Sequence, residues 1–512
     1  MVVARVWDGP FAIDKFAAHQ VERCADMLEE LDIPYFLVRA RKPYSWSIGV
    51  ELKYRDKVVE GIAKNFSESA LYVGDAVKGG TAIASERKIS ELRNSMAIRV
   101  GEYVAGTEGR VIAGPDHGCV IEFWEDGADV AKSPDKGVGR LESLKVVVSD
   151  EHLQESLVAP RANPVAGVLP TAARKSAEIE LGERTYPTFS AFAWDLVTDI
   201  SFPIDAVYTW VDGSDSEWAQ KRDSYLSGAG KLNPLAASKS RYESRDELLY
   251  SLRSLEMFAP FIRNVYIVTD GQTPSWLNLN HSRVRVVDHK DIFSDPSDLP
   301  VFNSHAIESQ LHHIDGLAEH YLYLNDDVMF GRPVTPHLFF HPNGVAKVNP
   351  STYRFGLGEA SVDDQPVDAA GKQNSELLFS DFNKVAITKF KHTPHPQQRS
   401  ILYELEERYA ERFKETARSR FRNPRDHSIP SSLQLYYAVL TGRAVFGSVR
   451  YSYLNLADPE AFRRRTQALL RKRNFDAFCV NDTVSVEDDG ESTQLLDRFL
   501  REYFPFKSSF EK

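Results

Sequence analysis

Asp326 and Asp327 stand side by side directly after the apolar run Tyr321-Leu322-Tyr323-Leu324 and Asn325. An apolar run bounded by turn chemistry reads as a buried strand. In open α/β sheets, ligands sit beyond the carboxyl ends of the strands, where this pair would be presented. Paired carboxylates there suit a divalent cation that also holds substrate phosphates. Mg²⁺ takes one or two carboxylates and fills its shell with phosphate and water oxygens. The plain alternative is an Asn-Asp-Asp turn capping the next element, and the surroundings decide between them.

Other strands end in the same way. Ile204 to Val211 reads as a strand closed by Asp212-Gly213-Ser214-Asp215, and Asn264 to Thr269 as one closed by Asp270-Gly271. Val284 to Val287 is a third strand and Tyr321 to Leu324 the fourth. Helices are expected between them. Asp246 to Ala259 has Asp246 as its cap, shows Leu248, Leu252 and Leu255 on one face and stops at Pro260, and a second helix spans Ser304 to Ala318. Strands alternating with helices imply a mainly parallel, Rossmann-like α/β sheet. Such a sheet gathers its acidic strand ends along one edge, which favours a cation or sugar-nucleotide site over a coincidence of turns. Near the C-terminus, Phe475 to Val480 repeats the theme by delivering Asn481-Asp482.

The rest of the chain supports this part. Residues 1–150 mix amphipathic helix (Phe16 to Leu31) with strand-like runs, including Cys119 to Trp124 and Leu144 to Val148, and read as an α+β accessory domain. Asp116-His117-Gly118 within it reads as a turn. Residues 151–200 are Pro- and Ala-rich and read as a surface connector, with a boundary near 195. The catalytic domain is then 201–512. It contains a polar loop over 221–240, a polar insertion or lid over 356–376, a charged helix from Ser400 to Arg418 and a more apolar one from Ser431 to Leu440.

Composition narrows the class. The 512 residues are 42% hydrophobic and 26% charged, with net charge −11 and no long basic block. This excludes a general nucleic-acid binder, which needs a basic footprint, and a polybasic membrane anchor. Cys24, Cys119 and Cys479 lie far apart and make no disulfide framework or zinc pattern, which implies a reducing compartment. No run of about 18 apolar residues occurs, and Met1 to Pro10 does not look like a signal peptide. The expected location is cytoplasmic, with peripheral association at the inner membrane face and a homo-oligomer both left open.

Several blocks stand out together: Ile204 to Gly213, Asp246 to Leu255, Val268 to Leu277, Ala306-Ile307-Glu308-Ser309, Tyr323 to Gly331, His392-Thr393-Pro394-His395, Phe421-Arg422 and Asn481-Asp482. In this order they resemble the Stealth family of sugar-phosphate transferases. They run from about residue 203 to 485 and leave 1–195 uncovered. The resemblance implies transfer of a hexose-1-phosphate, commonly N-acetylglucosamine-1-phosphate, from a UDP-sugar to a glycan hydroxyl, with UMP leaving. It implies a cation, Mg²⁺ with Mn²⁺ as an alternative, held among Asp326, Asp327, Asn481 and Asp482.

By the same resemblance His392 works at the phosphoryl centre, as general base or covalent nucleophile, with His395 beside it. Arg422 would bind the transferring phosphate. Glu308 would bind sugar hydroxyls or orient a loop. Asp205, Trp210, Asp212 and Asp270 are the remaining candidates for substrate contact. Each has a plainer reading: Trp210 as core, Asp205 as an organiser of the sheet, Arg422 as a surface arginine, Asn481-Asp482 as a turn. A metal-dependent UDP-sugar glycosyltransferase releasing UDP is the rival enzyme, and a sugar-binding protein with a structural ion is the rival without catalysis.

Overall fold

The structure, a computed structural model, describes residues 2–66, 70–132, 134–228, 232–236, 238, 241–481 and 491–512. The chain divides into two compact units, residues 1–196 and 197–512.

The first unit is α+β. Among its described residues, eight strands form one sheet around the buried strand Cys119–Asp126. Ala97–Glu102 and Ser156–Val158 flank that strand antiparallel, and Trp46–Glu51 joins it in parallel. The helix Ile13–Glu30 buries Val21, Cys24 and Leu28 in a core shared with Ile48, Leu71 and Ile121, as its apolar spacing requires.

Residues 151–200 are not a surface connector. Ser156–Val158 and Val168–Pro170 are edge strands of the sheet, Ser176–Leu181 pairs with Arg184–Phe189, and Ser190–Ala193 is a short helix. Pro170 closes an edge strand, where no ladder N–H is needed. Val158, Ala159, Leu169 and Phe192 pack with Phe36 and Trp124. Composition alone mistook a sheet edge for a linker. Leu144 to Val148 is likewise no strand, because Leu144 ends the helix Pro134–Leu144.

The second unit holds a five-stranded sheet in the order Val284–Asp288, Ile262–Thr269, Ile204–Thr209, His320–Asn325, His395–Gln398. The first four run parallel and the last antiparallel. This is the mainly parallel, Rossmann-like sheet the alternation of elements implies. Tyr321 to Leu324 are all buried, as expected of a strand covered on both faces. The chain first steps from Ile204–Thr209 out to Val284–Asp288, then returns to the other side of its starting strand. The order therefore reverses between Ile204–Thr209 and His320–Asn325. Their register pairs Thr209 with Asn325, so Trp210 to Asp212 and Asp326-Asp327 leave the sheet at one edge, at the switch point.

The helix Glu247–Phe258 buries Leu248, Leu252 and Leu255. Its Ser251 hydroxyl donates to the Val328 carbonyl at 2.5 Å, and Ser254 Oγ accepts from Phe330 N–H at 2.9 Å, which fixes the chain just after Asp327. Asp246 is not a side-chain cap: it adopts a left-handed φ of 63°, and Glu247 instead accepts from Arg245 N–H at 2.6 Å. The expected helix from Ser304 to Ala318 stops at Glu308 and gives way to a 3₁₀ turn, Leu311–His313. Arg399 takes the carbonyls of His312, Ile314 and Leu317 that a continuing helix would have used.

Within 221–240, Lys221 to Leu226 complete the helix Ser216–Leu226 rather than opening a loop. The insertion at 356–376 is irregular only to Gln365; Pro366 then opens a helix to Phe382, a residue suited to a first helical position. The charged segment from Ser400 is two helices, Arg399–Arg408 and Ala410–Ala417, broken at Tyr409. A second sheet, antiparallel between Val328–Phe330 and Ala477–Asn481 and parallel on to Tyr451–Asn455, folds the C-terminal segment back to the end of the central strand. No helix among the described residues is long and apolar enough to cross a membrane.

Candidate active site

Asp327 is the hub at the switch point. Its Oδ1 lies 3.1 Å from His392 Nε2, and its Oδ2 accepts from the Cys479 thiol and from Asn481 Nδ2, each at 3.2 Å. Cys479 and Asn481 sit two apart on one strand and so share a face. The Val480 N–H donates to the Asp327 carbonyl at 3.0 Å. Burial pushes the Asp327 pKa up, but the His392 charge and the three hydrogen bonds outweigh it and leave it below the usual carboxylate value. For His392, burial works downward, and Asp327 and then Glu308 reverse it to a net rise. The Cys479 thiol is held well above its ordinary value by burial and by Asp327, so it stays protonated.

Asp326 is in the opposite condition. Burial, then Asp327, then Glu247 raise its pKa well above the ordinary carboxylate value, and it accepts from the backbone N–H groups of Asp326 and Asp327. Glu247, nine-tenths buried at the helix start, is pushed up to about 7, chiefly by burial, with Asp327 adding to the effect. Asp326 and Glu247 thus both feel the charge of Asp327.

Arg422 donates to Ser304 Oγ at 2.7 Å. Its loop is tied to the Glu308 helix through Asn303 Nδ2, which donates to Asp426 at 2.8 Å. Arg422 lines a cleft with Ser361, Asp364 and Asn423, and its charge acts on His392 and Tyr323. Glu308 is buried, hydrogen-bonded to Tyr323, and its Oε2 has no partner in the structure.

The other candidates fall elsewhere. Asp205 begins its strand at the far end of the sheet, fully buried, and accepts from Arg263 at 2.9 and 2.6 Å; it organises the sheet rather than meeting substrate. Asp212 Oδ1 accepts from Ser214 N–H and hydroxyl at 2.9 and 2.6 Å, within a turn clamped by Gln272. Asp270 pairs with Lys221 at 2.7 Å. Neither is drawn into the Asp327 cluster. Trp210 is half-buried at the switch-point edge, with its backbone N–H donating to the Val268 carbonyl. His395 is buried opposite Tyr323, and burial, with His392 next, holds its pKa down at about 3, so it is neutral. Asp482 lies outside the described residues.

Sequence reasoning missed Glu247 and Cys479. The two-residue alternation from Cys479 to Asn481 could have found the thiol. Nothing local marks Glu247, which meets Asp326 only through the packing of its helix.

Fold and cluster place a carboxylate–histidine group at the switch point of an α/β sheet. The Stealth conserved regions 1, 2, 3 and 4 match residues 202–230, 241–348, 391–439 and 467–512. An exopolysaccharide phosphotransferase of Streptomyces coelicolor is 41% identical over 96% of this chain and 82% of its own length. The exopolysaccharide phosphotransferase CpsY of Mycobacterium tuberculosis is 32% identical over 95% of this chain and 86% of its own. Among solved structures, the galactosyltransferase LgtC with donor and acceptor sugar analogues aligns over 60% of this chain and 97% of its own. It shares 12% identity at a TM-score of 0.29, too slight a likeness to bear on function. The chain belongs to the Stealth family, and it is a transferase.

Proposed function

We propose that this protein transfers a hexose-1-phosphate, N-acetylglucosamine-1-phosphate in the first instance, from a UDP-sugar to a glycan hydroxyl during exopolysaccharide synthesis. The product is a phosphodiester and the leaving group UMP. The observation that carries the reading is the 3.1 Å contact of His392 Nε2 with Asp327 Oδ1 beside Asp326 at the switch point. With Nε2–H given to Asp327, the lone pair of His392 is on Nδ1, the atom that would take the acceptor hydroxyl's proton. Asp327 fixes the ring and stabilises the imidazolium as it forms. Arg422, with Ser304 behind it, would meet the transferring phosphate, whose chemistry asks for positioning and charge neutralisation. Glu308, with an oxygen left over, would take a sugar hydroxyl, and Trp210 would face the nucleotide.

The residues fit a divalent cation. Asp326, Asp327 and Glu247 bring acidic groups together, offset by His392 at Asp327 and by Arg245 at Glu247. Asp327, His392 and Cys479 also bring ligand atoms within 4.8 Å of one another, a softer set than Mg²⁺ prefers. Ligation would cost His392 its role as base, so the carboxylate pair is the better seat. Asn481 now turns its amide nitrogen to Asp327 and would present oxygen only after an amide flip. When bound, Mg²⁺ or Mn²⁺ neutralises the diphosphate oxygens and the leaving nucleotide.

The test is to incubate the protein with UDP-N-acetylglucosamine, a glycan acceptor and Mg²⁺ and to identify the nucleotide released. UMP is expected. UDP would make the protein a glycosyltransferase.

A further inference from the structure

A second cluster in the same unit shares no residue with the Asp327 site. His312 and His313, in the turn Leu311–His313, aim both Nε2 atoms at one oxygen, Oε2 of Glu406 on the helix Arg399–Arg408, each at 2.9 Å. His313 Nδ1 lies 2.8 Å from the Ile292 carbonyl. A carbonyl only accepts, so Nδ1 holds the ring hydrogen. In the neutral ring Nε2 is then a lone pair facing a carboxylate lone pair. Such a contact requires positive charge between the two atoms, either a second ring proton or a metal cation. His312 Nδ1 has no partner in the structure, so this tautomer argument rests on His313.

Three features favour the cation. Nitrogen, nitrogen and oxygen converge from three side chains, all within 4.8 Å of one another, and these are donor types zinc accepts. The His313 Nδ1 bond to a backbone carbonyl is the outer contact that orients metal-bound histidines. The His312 side chain is 0% exposed while Glu406 is 27% exposed, which leaves the carboxylate side open for a water ligand. At zinc–ligand distances of about 2.0–2.2 Å, tetrahedral neighbours stand about 3.3 Å apart, so the three atoms need only spread slightly.

We propose that His312, His313 and Glu406 bind a zinc-type divalent cation that staples the Arg399–Arg408 helix to the turn preceding the central strand. The ion would join positions 94 and 93 residues apart in sequence. Arg399 holds the same turn independently through three carbonyls, so the fold survives without the ion.

The experiment uses the full chain carrying Asp327→Asn, which weakens the Asp327-His392-Cys479 cluster. The protein is stripped with chelator and titrated with Zn²⁺. About one equivalent should bind with a rise in Tm, and zinc-edge X-ray absorption should show two imidazole ligands. Adding His313→Ala or Glu406→Gln should lose both the equivalent and the Tm rise while keeping the parent far-UV dichroism. Unchanged stoichiometry in the variants, no zinc bound at micromolar concentration, or a spectrum without paired imidazoles would overturn the assignment and leave a proton-bridged ion pair. The X-ray absorption spectrum of the parent decides the matter even if a variant fails to fold.

Discussion

One sheet carries carboxylates at both ends, one buried and one half-buried, and treats them in opposite ways. At the start of the Ile204–Thr209 strand, Asp205 receives two bonds from Arg263 and one each from the N–H groups of Asn264 and Ala318, at 3.1 and 2.8 Å. Its charge is cancelled and its oxygens are filled. At the finish of the neighbouring strand, Asp326 meets two further carboxylates, and burial forces it towards the neutral form. Burying a charge without a partner is costly. The fold cancels that cost at one end and leaves it standing at the other, and the function proposed above gives the second end to a ligand. The sequence shows an aspartate at each place; the partners make the difference.

The largest effect should come from Asp327→Asn, which breaks the hub. Turnover should fall by about four orders of magnitude, by analogy with loss of the carboxylate that orients a catalytic histidine, while the Tm moves little. His392→Ala should slow transfer by about two to four orders of magnitude with donor affinity less affected, measured as separate kcat and donor Kd. A donor Kd that weakens as much as kcat would make His392 a binding residue.

Asp205→Ala should do the reverse. It strands two backbone donors and leaves Arg263, 43% exposed, to solvent, and should cost about 2–4 kcal/mol of stability, read by denaturant unfolding, while activity per folded molecule stays near wild type. A selective loss of activity would return Asp205 to the site.

The smallest effect concerns pH. Glu247 in the folded protein titrates at about 7 against an ordinary 4.5. Between those values the folded state holds a proton that the unfolded state has released, so stability falls as pH rises from 4.5 to 7, by about 3 kcal/mol at most. The fall should be smaller in Glu247→Gln, since Asp326, raised in the same direction, remains. A divalent cation should flatten it in the wild type.

The fold was legible where local pattern and tertiary role agree. The apolar runs ending in Asp212, Asp270 and Asp326 gave the parallel sheet, because strands buried on both faces read as continuous hydrophobic stretches. Asp326, Asp327 and His392 were legible as chemistry through the family blocks. The rest depended on long-range partners. Asp205 and Asp212 look alike in sequence, yet Arg263 fills one and a local turn uses the other. Nothing in the sequence singled out Glu247, which comes near Asp326 because its helix packs on Val328–Phe330 just after that residue. The Pro- and Ala-rich stretch before residue 196 hid strands, because edge positions tolerate proline.

Asp326→Asn, assayed for both Tm and turnover, tests most directly whether the switch-point end is charge held open for a ligand. The substitution keeps shape and removes a carboxyl that folding forces towards its protonated form. At pH 7 without divalent cation, the Tm should rise while turnover drops by about two orders of magnitude or more. A lower Tm with turnover retained would show that Asp326 serves the fold, as Asp205 does, and would contradict the account.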